Sequence, residues 1–455
     1  MKDCKQKLTR IILETVVACI FVSFGTAIRP HVALGDVTER VSVDSAGVQG
    51  NADSRNPSIS GDGRFVAFES NASNLSPGGT GIVLRDRQTG VTRFISLGIA
   101  PAISADGRFV AFYSQEEDLV PDDTNGVRDA FVYDVQTGAF TRVSVDSNGN
   151  QANDTSGGGF RDGPAISADG RFVAFISWAT NLVPGDTNGF PDVFVHDRDA
   201  DENGLFDEPG GIRTTRVSVP NLADQGTLGT EADCSSGEEL SMNAINADGR
   251  FVAFNSCAAN LVLGDTPAAR KVFLHDRQTG ATLRVGGGWD AWPSLSADSR
   301  FVAFGSLSDL VSDDTNGRWD IYVYDRGAGT ISRVSVSSAG VQGDGDSFTP
   351  SISADGRFVS FESNATNLVD GDTNTRNDIF VHDRQERTTI RVSVATDGTE
   401  GNNVSGEFWH SPLSADGLVV AFVSQASNLV PGDTNESRDV FVRDREVESP
   451  ELMGE

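Results

Sequence analysis

The sequence predicts an all-β chain folded as a seven-bladed β-propeller, with four antiparallel strands per blade, and three observations predict it. The stretch Pro350-Ser-Ile-Ser-Ala-Asp-Gly-Arg-Phe-Val-Ser-Phe-Glu-Ser363 recurs seven times with small changes. Its turn aspartates are Asp62, Asp106, Asp169, Asp248, Asp298, Asp355 and Asp416, 44 to 79 residues apart, and self-similarity of this kind marks a repeat architecture. The run after each turn, Phe-Val-Ala-Phe in five copies, is apolar on both faces, so each unit has to be covered front and back by its neighbours. The seventh copy ends without a fourth strand, whereas Val37-Thr-Glu-Arg-Val-Ser-Val43 is a fourth strand with no blade before it. The N-terminal strand is therefore expected to complete the last blade, closing the ring and leaving no open sheet edge.

Within one copy, Pro350 to Ser353 predicts a short first strand. Ala354-Asp355-Gly356 predicts a tight hairpin turn, Asp bonding its own backbone and Gly supplying the positive φ. Arg357 to Ser363 is the second strand, Asp378 to Asp383 the third and Thr388 to Val394 the fourth. All are rich in Phe, Val and Ile and bounded by Gly, Asn, Asp and Pro. Eighteen of the 27 phenylalanines fall in second and third strands, which makes the aromatic content blade packing first. The first-to-second and third-to-fourth turns are tight, while the second-to-third and blade-to-blade loops are long. In an up-and-down ring the two long classes emerge together, so one face is trimmed and the other elaborated, and the elaborated face is the expected binding face.

The Ser-Ala-Asp-Gly-Arg-Phe-Val-Ala-Phe copies, with Phe-Val-His-Asp-Arg downstream, resemble the WD40-like (PD40) repeats of TolB-type propellers over residues 37 to 445. The resemblance implies the fold. It implies no single activity, because the fold hosts binding proteins, peptidase domains and lyases alike. TolB itself carries an additional N-terminal α/β domain, so a role in the Tol-Pal envelope system is not expected here.

Residues 1–35 read as a signal peptide ahead of a propeller spanning 36–455. Lys2, Lys5, Lys7 and Arg10 give a basic start, Thr15 to Ile28 an apolar stretch too short to span a membrane, and small residues suit cleavage after Ala27 or Gly35. Val16-Val-Ala-Cys19 faintly resembles a lipoprotein box, but too little apolar sequence precedes it. The mature chain is expected to be exported, to the periplasm or outside the cell, and monomeric. A net charge of −29 repels phosphate backbones and anionic lipid, which excludes nucleic acid and membrane surfaces as partners and suits divalent cations. Cys234 and Cys257 can pair in an oxidising compartment, though spacing alone leaves the pairing open.

Five of the seven second-to-third loops carry Asp-Thr-Asn-x-x-x-Asp: Asp123, Asn125, Asp129; Asp186, Asn188, Asp192; Asp314, Asn316, Asp320; Asp372, Asn374, Asp378; and Asp433, Asn435, Asp439. Oxygens at i, i+2 and i+6 can curl around calcium, with backbone carbonyls and water completing the shell; the bland reading is loop capping by Asp and Asn. Pro77-Gly-Gly-Thr80 and Asp265-Thr-Pro-Ala268 dispense with the triad. A second calcium candidate follows the third blade's Phe194-Val-His-Asp-Arg198. There Asp199, Asp201 and Asn203, followed by Gly204, match the first half of an EF-hand loop. Position twelve is Gly210, so Asp207 or Glu208 has to supply the closing carboxylate.

Catalysis has little support in the sequence. His196, His275 and His382 share one repeat position with Tyr133, Tyr324, Arg85 and Arg443, which is a blade position rather than a converging cluster. Of the histidines beyond residue 35, His410 alone stands outside that register, and there is no nucleophile elbow, His-Glu zinc motif or Gly-rich phosphate loop. Trp178, Trp289, Trp292, Trp319 and Trp409 lie in or beside elaborated-face loops, where they can stack on a ligand or cap the blades. The expectation is a non-enzymatic propeller that binds or scaffolds an extracytoplasmic protein, with structural calcium in its acidic loops. The alternative is a propeller that binds carbohydrate or cleaves polysaccharide at the central channel mouth.

Overall fold

The Ser-Ala-Asp-Gly hairpin is locked by its own side chains. In the sixth copy, Ser353 Oγ accepts the Phe358 N–H (2.9 Å) and donates to Asp355 Oδ1 (2.7 Å), which also takes the Arg357 N–H (2.9 Å). Arg357 then reaches across the blade to Asp383 at the end of the third strand (2.7 Å). The turn glycine has two reasons to be there. It sits at positive φ, +73° at Gly107, and a Cβ on Gly107 would fall 2.4 Å from Phe65 Cδ2 of the preceding blade, so this turn nests against its neighbour's ring.

The computed structural model describes residues 36–446 apart from 159–162, 238–243, 267–268 and 408; the signal peptide expected at 1–35 lies outside them. The described residues form seven antiparallel sheets. In blade 6 the strands are Ser347–Ile352, Phe358–Ser363, Asp378–Asp383 and Thr388–Arg391. The first strand begins three residues before Pro350, because the register shifts between Phe348 and Ser351 and Thr349 adopts φ 49°. Such a bulge breaks the alternation by which a strand is recognised. The fourth ends at Arg391 rather than Val394. The Val392 N–H still bonds the Ile379 carbonyl, but Val394 bridges Glu400 in the loop toward the next blade.

Two closures hold the ring. At the outside, Val37–Arg40 pairs with Asp439–Asp444, Val37 opposite Asp444 and Arg40 opposite Phe441, and a bridge from Leu413 to Val420 adds the innermost position of that blade. At the inside, the residue before each turn aspartate donates its N–H to the same residue of the next blade. The bonds run Gly61, Ala105, Ala168, Ala247, Ala297, Ala354, Ala415 and back to Gly61, at 2.8–3.3 Å. Between blades the core is built of second- and third-strand side chains, for example Val66 and Phe68 against Val419, Ala421 and Val423 across the closing seam. Each fully buried Phe or Val contributes about 1.5–3 kcal/mol.

A second interblade device lies on the trimmed face. The Arg after the turn stacks on the Phe that follows it, and the Arg just after the next blade's third strand stacks on the same ring. Arg300 and Arg384 lie 4.8 and 4.2 Å from the Phe301 centroid. Phe109, Phe172, Phe251 and Phe358 are flanked in the same way, by Arg198, Arg277, Arg326 and Arg445 from the following blade. No helix among the described residues is long and apolar enough to cross a membrane.

Candidate functional site

The Asp-Thr-Asn loops fold alike. In blade 2, Asn125 Nδ2 donates to Asp129 Oδ2 (2.8 Å) and to the Ala152 carbonyl (3.1 Å), while its Oδ1 takes the Val127 N–H. Asp129 Oδ1 accepts Ser144 Oγ from just beyond the fourth strand. Asp123 and Asp129 then converge on Arg142 Nη1, at 3.1 and 3.8 Å. The same arrangement puts Arg216 between Asp186 and Asp192 (3.2 and 3.1 Å), and Arg333 between Asp314 and Asp320 (3.3 and 3.8 Å). Arg391 lies between Asp372 and Asp378 (3.6 and 3.3 Å), and Arg40 between Asp433 and Asp439 (3.1 and 3.5 Å).

The sequence therefore identifies the carboxylates that meet, but the point they meet on is a guanidinium of this chain. Calcium enters such a triad only where the arginine withdraws. Asn125, Asn188, Asn316, Asn374 and Asn435 spend their amide groups capping the loop. The sequence signal for these arginines is an Arg-Val-Ser that recurs at the end of the fourth strand of the same five blades. Blade 4 carries the logic further. Lys271 takes the place of the i+6 aspartate, and both it (3.2 Å) and Arg284 (3.0 Å) pair with Asp265. Burial pushes Asp320, Asp378 and Asp439 up to about 6.

The insertion at 199–208 turns as its glycine suggests: Asp199 accepts the Asn203 and Gly204 N–H groups (3.0 and 3.1 Å), with Gly204 at φ 85°. Asn203 Nδ2 bridges Asp201 Oδ2 (3.0 Å) and Glu208 Oε2 (2.7 Å), a donor where a cation would sit between two carboxylates. Asp207 points elsewhere. It pairs with Arg198 (2.5 Å) and accepts Thr141 Oγ1 (3.0 Å), so Glu208 is the carboxylate left to close the loop. Phe206 packs on Phe109 (5.6 Å) and anchors the insertion to blade 2.

The three repeat histidines are structural. His382 Nδ1 meets Thr389 Oγ1 (2.9 Å), and that hydroxyl donates to the Val336 carbonyl of the preceding blade, so the imidazole must be the donor. His196–Thr214 and His275–Thr282 repeat the pair, whereas Tyr133 faces Phe140 and Tyr324 faces Ile331. Cys234 and Cys257 form a disulfide. Of the tryptophans, Trp292 and Trp409 are buried, Trp292 against Trp319 and Phe348, while Trp178 (40%) and Trp289 (59%) are exposed on the elaborated face.

The inner strands enclose a central cavity of about 480 Å³ lined by all seven blades. Its wall is Pro, Ala, Ile, Leu and Ser, with Asn56 and His410 at the elaborated-face end and no charged side chain among the described lining residues. Burial pushes His410 down to about 4, so it is neutral. Beside it, Arg55 Nε donates to buried Glu69 (3.0 Å), and the guanidinium lies 5.3 Å from the Trp409 ring. Glu69 also takes Asn56 Nδ2 (3.0 Å) and the Ala100 N–H (2.7 Å). Glu362, at the same repeat position in blade 6, accepts Asn377 Nδ2.

No protein-family model and no curated protein matches the chain. Among solved structures it is similar to the β-propeller domain of the Trilobed protease from Pyrococcus furiosus, described as having an open velcro topology. The two are 13% identical with TM-score 0.53, over 87% of this chain and 94% of that one. It is also similar to an oligogalacturonate lyase from Vibrio parahaemolyticus, 13% identical with TM-score 0.50 over 90% and 97%. A putative TolB from Agrobacterium tumefaciens is 15% identical over 78% and 94%, with TM-score 0.38. Identities this low show the propeller fold alone.

Proposed function

We propose that this chain is an exported binding propeller rather than an enzyme, and that it engages another extracytoplasmic protein through its elaborated face. The observation that carries this reading is the chemistry of the channel. A propeller catalyst needs acid, base or metal-ligating groups converging on one point. The described lining offers one imidazole and no carboxylate, and Glu69 is committed to Arg55, Asn56 and the Ala100 amide. Exposed Trp178 and Trp289 support a protein partner, because large aromatics anchor interfaces. The basic, then apolar, first 35 residues and the disulfide support export. Pull-down from a cell-envelope extract, with wild type beside the double variant W178S/W289S, tests it. A specific partner retained by wild type and lost by the variant is expected; identical capture by both would refute it.

Calcium belongs to this reading as a structural ion in the 199–208 loop, where Asp199, Asp201, Asn203 and Glu208 are the oxygens left to hold it. The expected outcome is a melting temperature higher in calcium than in EDTA, with the difference abolished by D201N. The second reading, carbohydrate binding or cleavage at the channel mouth, is favoured by Trp409 lying beside Arg55 and His410. Release of unsaturated sugars from a polyuronate would establish it.

A further inference from the structure

Counting back seven residues from each turn aspartate reaches one ring position at the elaborated-face mouth. In the blades described there, it holds Arg55, Ile99, Ala291, Phe348 and Trp409. Blades 2, 5, 6 and 7 fill it with apolar side chains, blade 7 with Trp409; blade 1, across the closing seam from blade 7, departs from the pattern with an arginine. Placing a guanidinium where the repeat places hydrocarbon costs stability, and such local departures concentrate at functional sites. Here the departure is built. Arg55 Nε is anchored by Glu69, whose other oxygen is held by Asn56 and Ala100, and the guanidinium lies over Trp409.

That anchoring leaves the other edge of the fork free. Arg55 Nη1 and Nη2 have no partner among the described residues, and the side chain keeps 21% exposure, so both amino groups reach solvent. Immediately below, Asn56 and His410 begin the uncharged channel wall. A fixed, planar pair of N–H donors matches a carboxylate edge. A cavity of this volume is the size of a small-ligand site, and its Pro, Ala and Ile wall suits an uncharged, mainly apolar body. A second negative group on the ligand would meet no cation among the described lining residues.

We propose that the channel mouth is a receptor for an organic monocarboxylate, with the carboxylate on Arg55, Trp409 beside it, and the neutral body of the ligand in the channel. The chemistry is shared by a free organic acid and by the C terminus of a polypeptide ending in an apolar residue. Only the second source would join this site to the protein-binding reading, and the site does not depend on that reading.

Calorimetric titration of the whole protein tests it, with 4-phenylbutyrate against its amide, and acetyl-Ala-Ala-Leu with a free against an amidated C terminus. At least one acid is expected to bind, its amide at least about tenfold more weakly, as loss of a charge-assisted hydrogen bond requires. The double variant R55Q/E69Q keeps a neutral hydrogen-bonded pair and is expected to melt like wild type while losing at least about tenfold in affinity. R55K keeps the charge against Glu69 but not the fork, and is expected to weaken the acid while sparing any residual amide binding. Binding of the free acid alone assigns a small metabolite, and binding of the peptide alone a partner's C terminus. No binding by either acid, equal affinity of acid and amide, or full affinity in both variants overturns the proposal.

Discussion

Arg391 Nη1 lies 2.5 Å from Glu400 Oε1, 3.3 Å from Asp378 Oδ2 and 3.6 Å from Asp372 Oδ1, so one guanidinium is shared by the three carboxyl groups that come closest together among the described residues. Removing it leaves three acids without their cation, and breaking a buried pair from one side costs about 3–5 kcal/mol. R391M is therefore expected to lose about 3 kcal/mol in urea unfolding, discounted from the upper figure because Glu400 is partly exposed. Added calcium should then raise the melting temperature of R391M more than that of wild type, since the variant offers the three oxygens without the competing arginine. An R391M melt insensitive to calcium would show that the triad geometry serves only its own arginine.

At the scale of the element, the blade is a hairpin pair completed by its neighbour. In five blades the Phe after the turn is gripped between an Arg of its own blade and one from the next, and blade 1 shows what happens when one half is missing. Phe65 carries Arg64 at 4.5 Å, but the position that sends an arginine from the next blade is Val135, and a cavity of about 320 Å³ lies there. V135R is expected to complete the stack and reach the Gly107 carbonyl, as Arg384 reaches that of Gly356 (2.5 Å). A gain of about 0.5–1 kcal/mol follows from the cation–π contact alone. A differential melt of V135R against wild type checks it, and an unchanged or lower value would mean that the turn cannot accept the larger side chain.

For the whole molecule, titration sets how stability answers to pH. Burial pushes Asp186, Asp290, Asp320, Asp378 and Asp439 up to about 6, and raises Asp129, Asp192, Asp372 and Asp433 in the same direction. An acid whose folded pKa is raised binds its proton more readily when folded, so these groups favour folding as pH falls through 6. Burial pushes His196, His275, His382 and His410 down to about 4, and these oppose it over the same window, because the unfolded imidazoles protonate first. Asp86 and Asp276, held near 2 by Arg64 and Arg250, add stability that is lost only as pH falls below about 4. The raised acids outnumber the histidines, so the melting temperature is expected to hold level or climb slightly from about pH 7.5 to 5 and to fall below about 4. A melt series across that range checks it; a steady fall from pH 7.5 to 5 would contradict burial of the aspartates.

Whatever repeats in this chain could be read from its residues. The seven turn aspartates, the doubly apolar second strands and the orphan strand at Val37 specify blade count, strand order and closure, because each blade can bury its faces only against a copy of itself. The carboxylates of the Asp-Thr-Asn loops were legible too, since their spacing is local. What filled them was not. Arg142 lies 13 residues beyond Asp129 and Arg40 lies 399 before Asp439, and only the closed ring makes those separations equivalent. The bulges at Asn56, Ala100, Trp292 and Thr349 interrupt the strand period, so the inner strands could not be traced to their starts, nor the channel mouth assembled, from pattern alone. Tertiary structure also decided that Cys234 meets Cys257, that Asp207 turns to Arg198, and that Arg55 lies over Trp409 from the far end of the chain. Repetition writes the fold into local sequence, whereas the candidate site rests on residues that meet only when the first blade and the last are brought together.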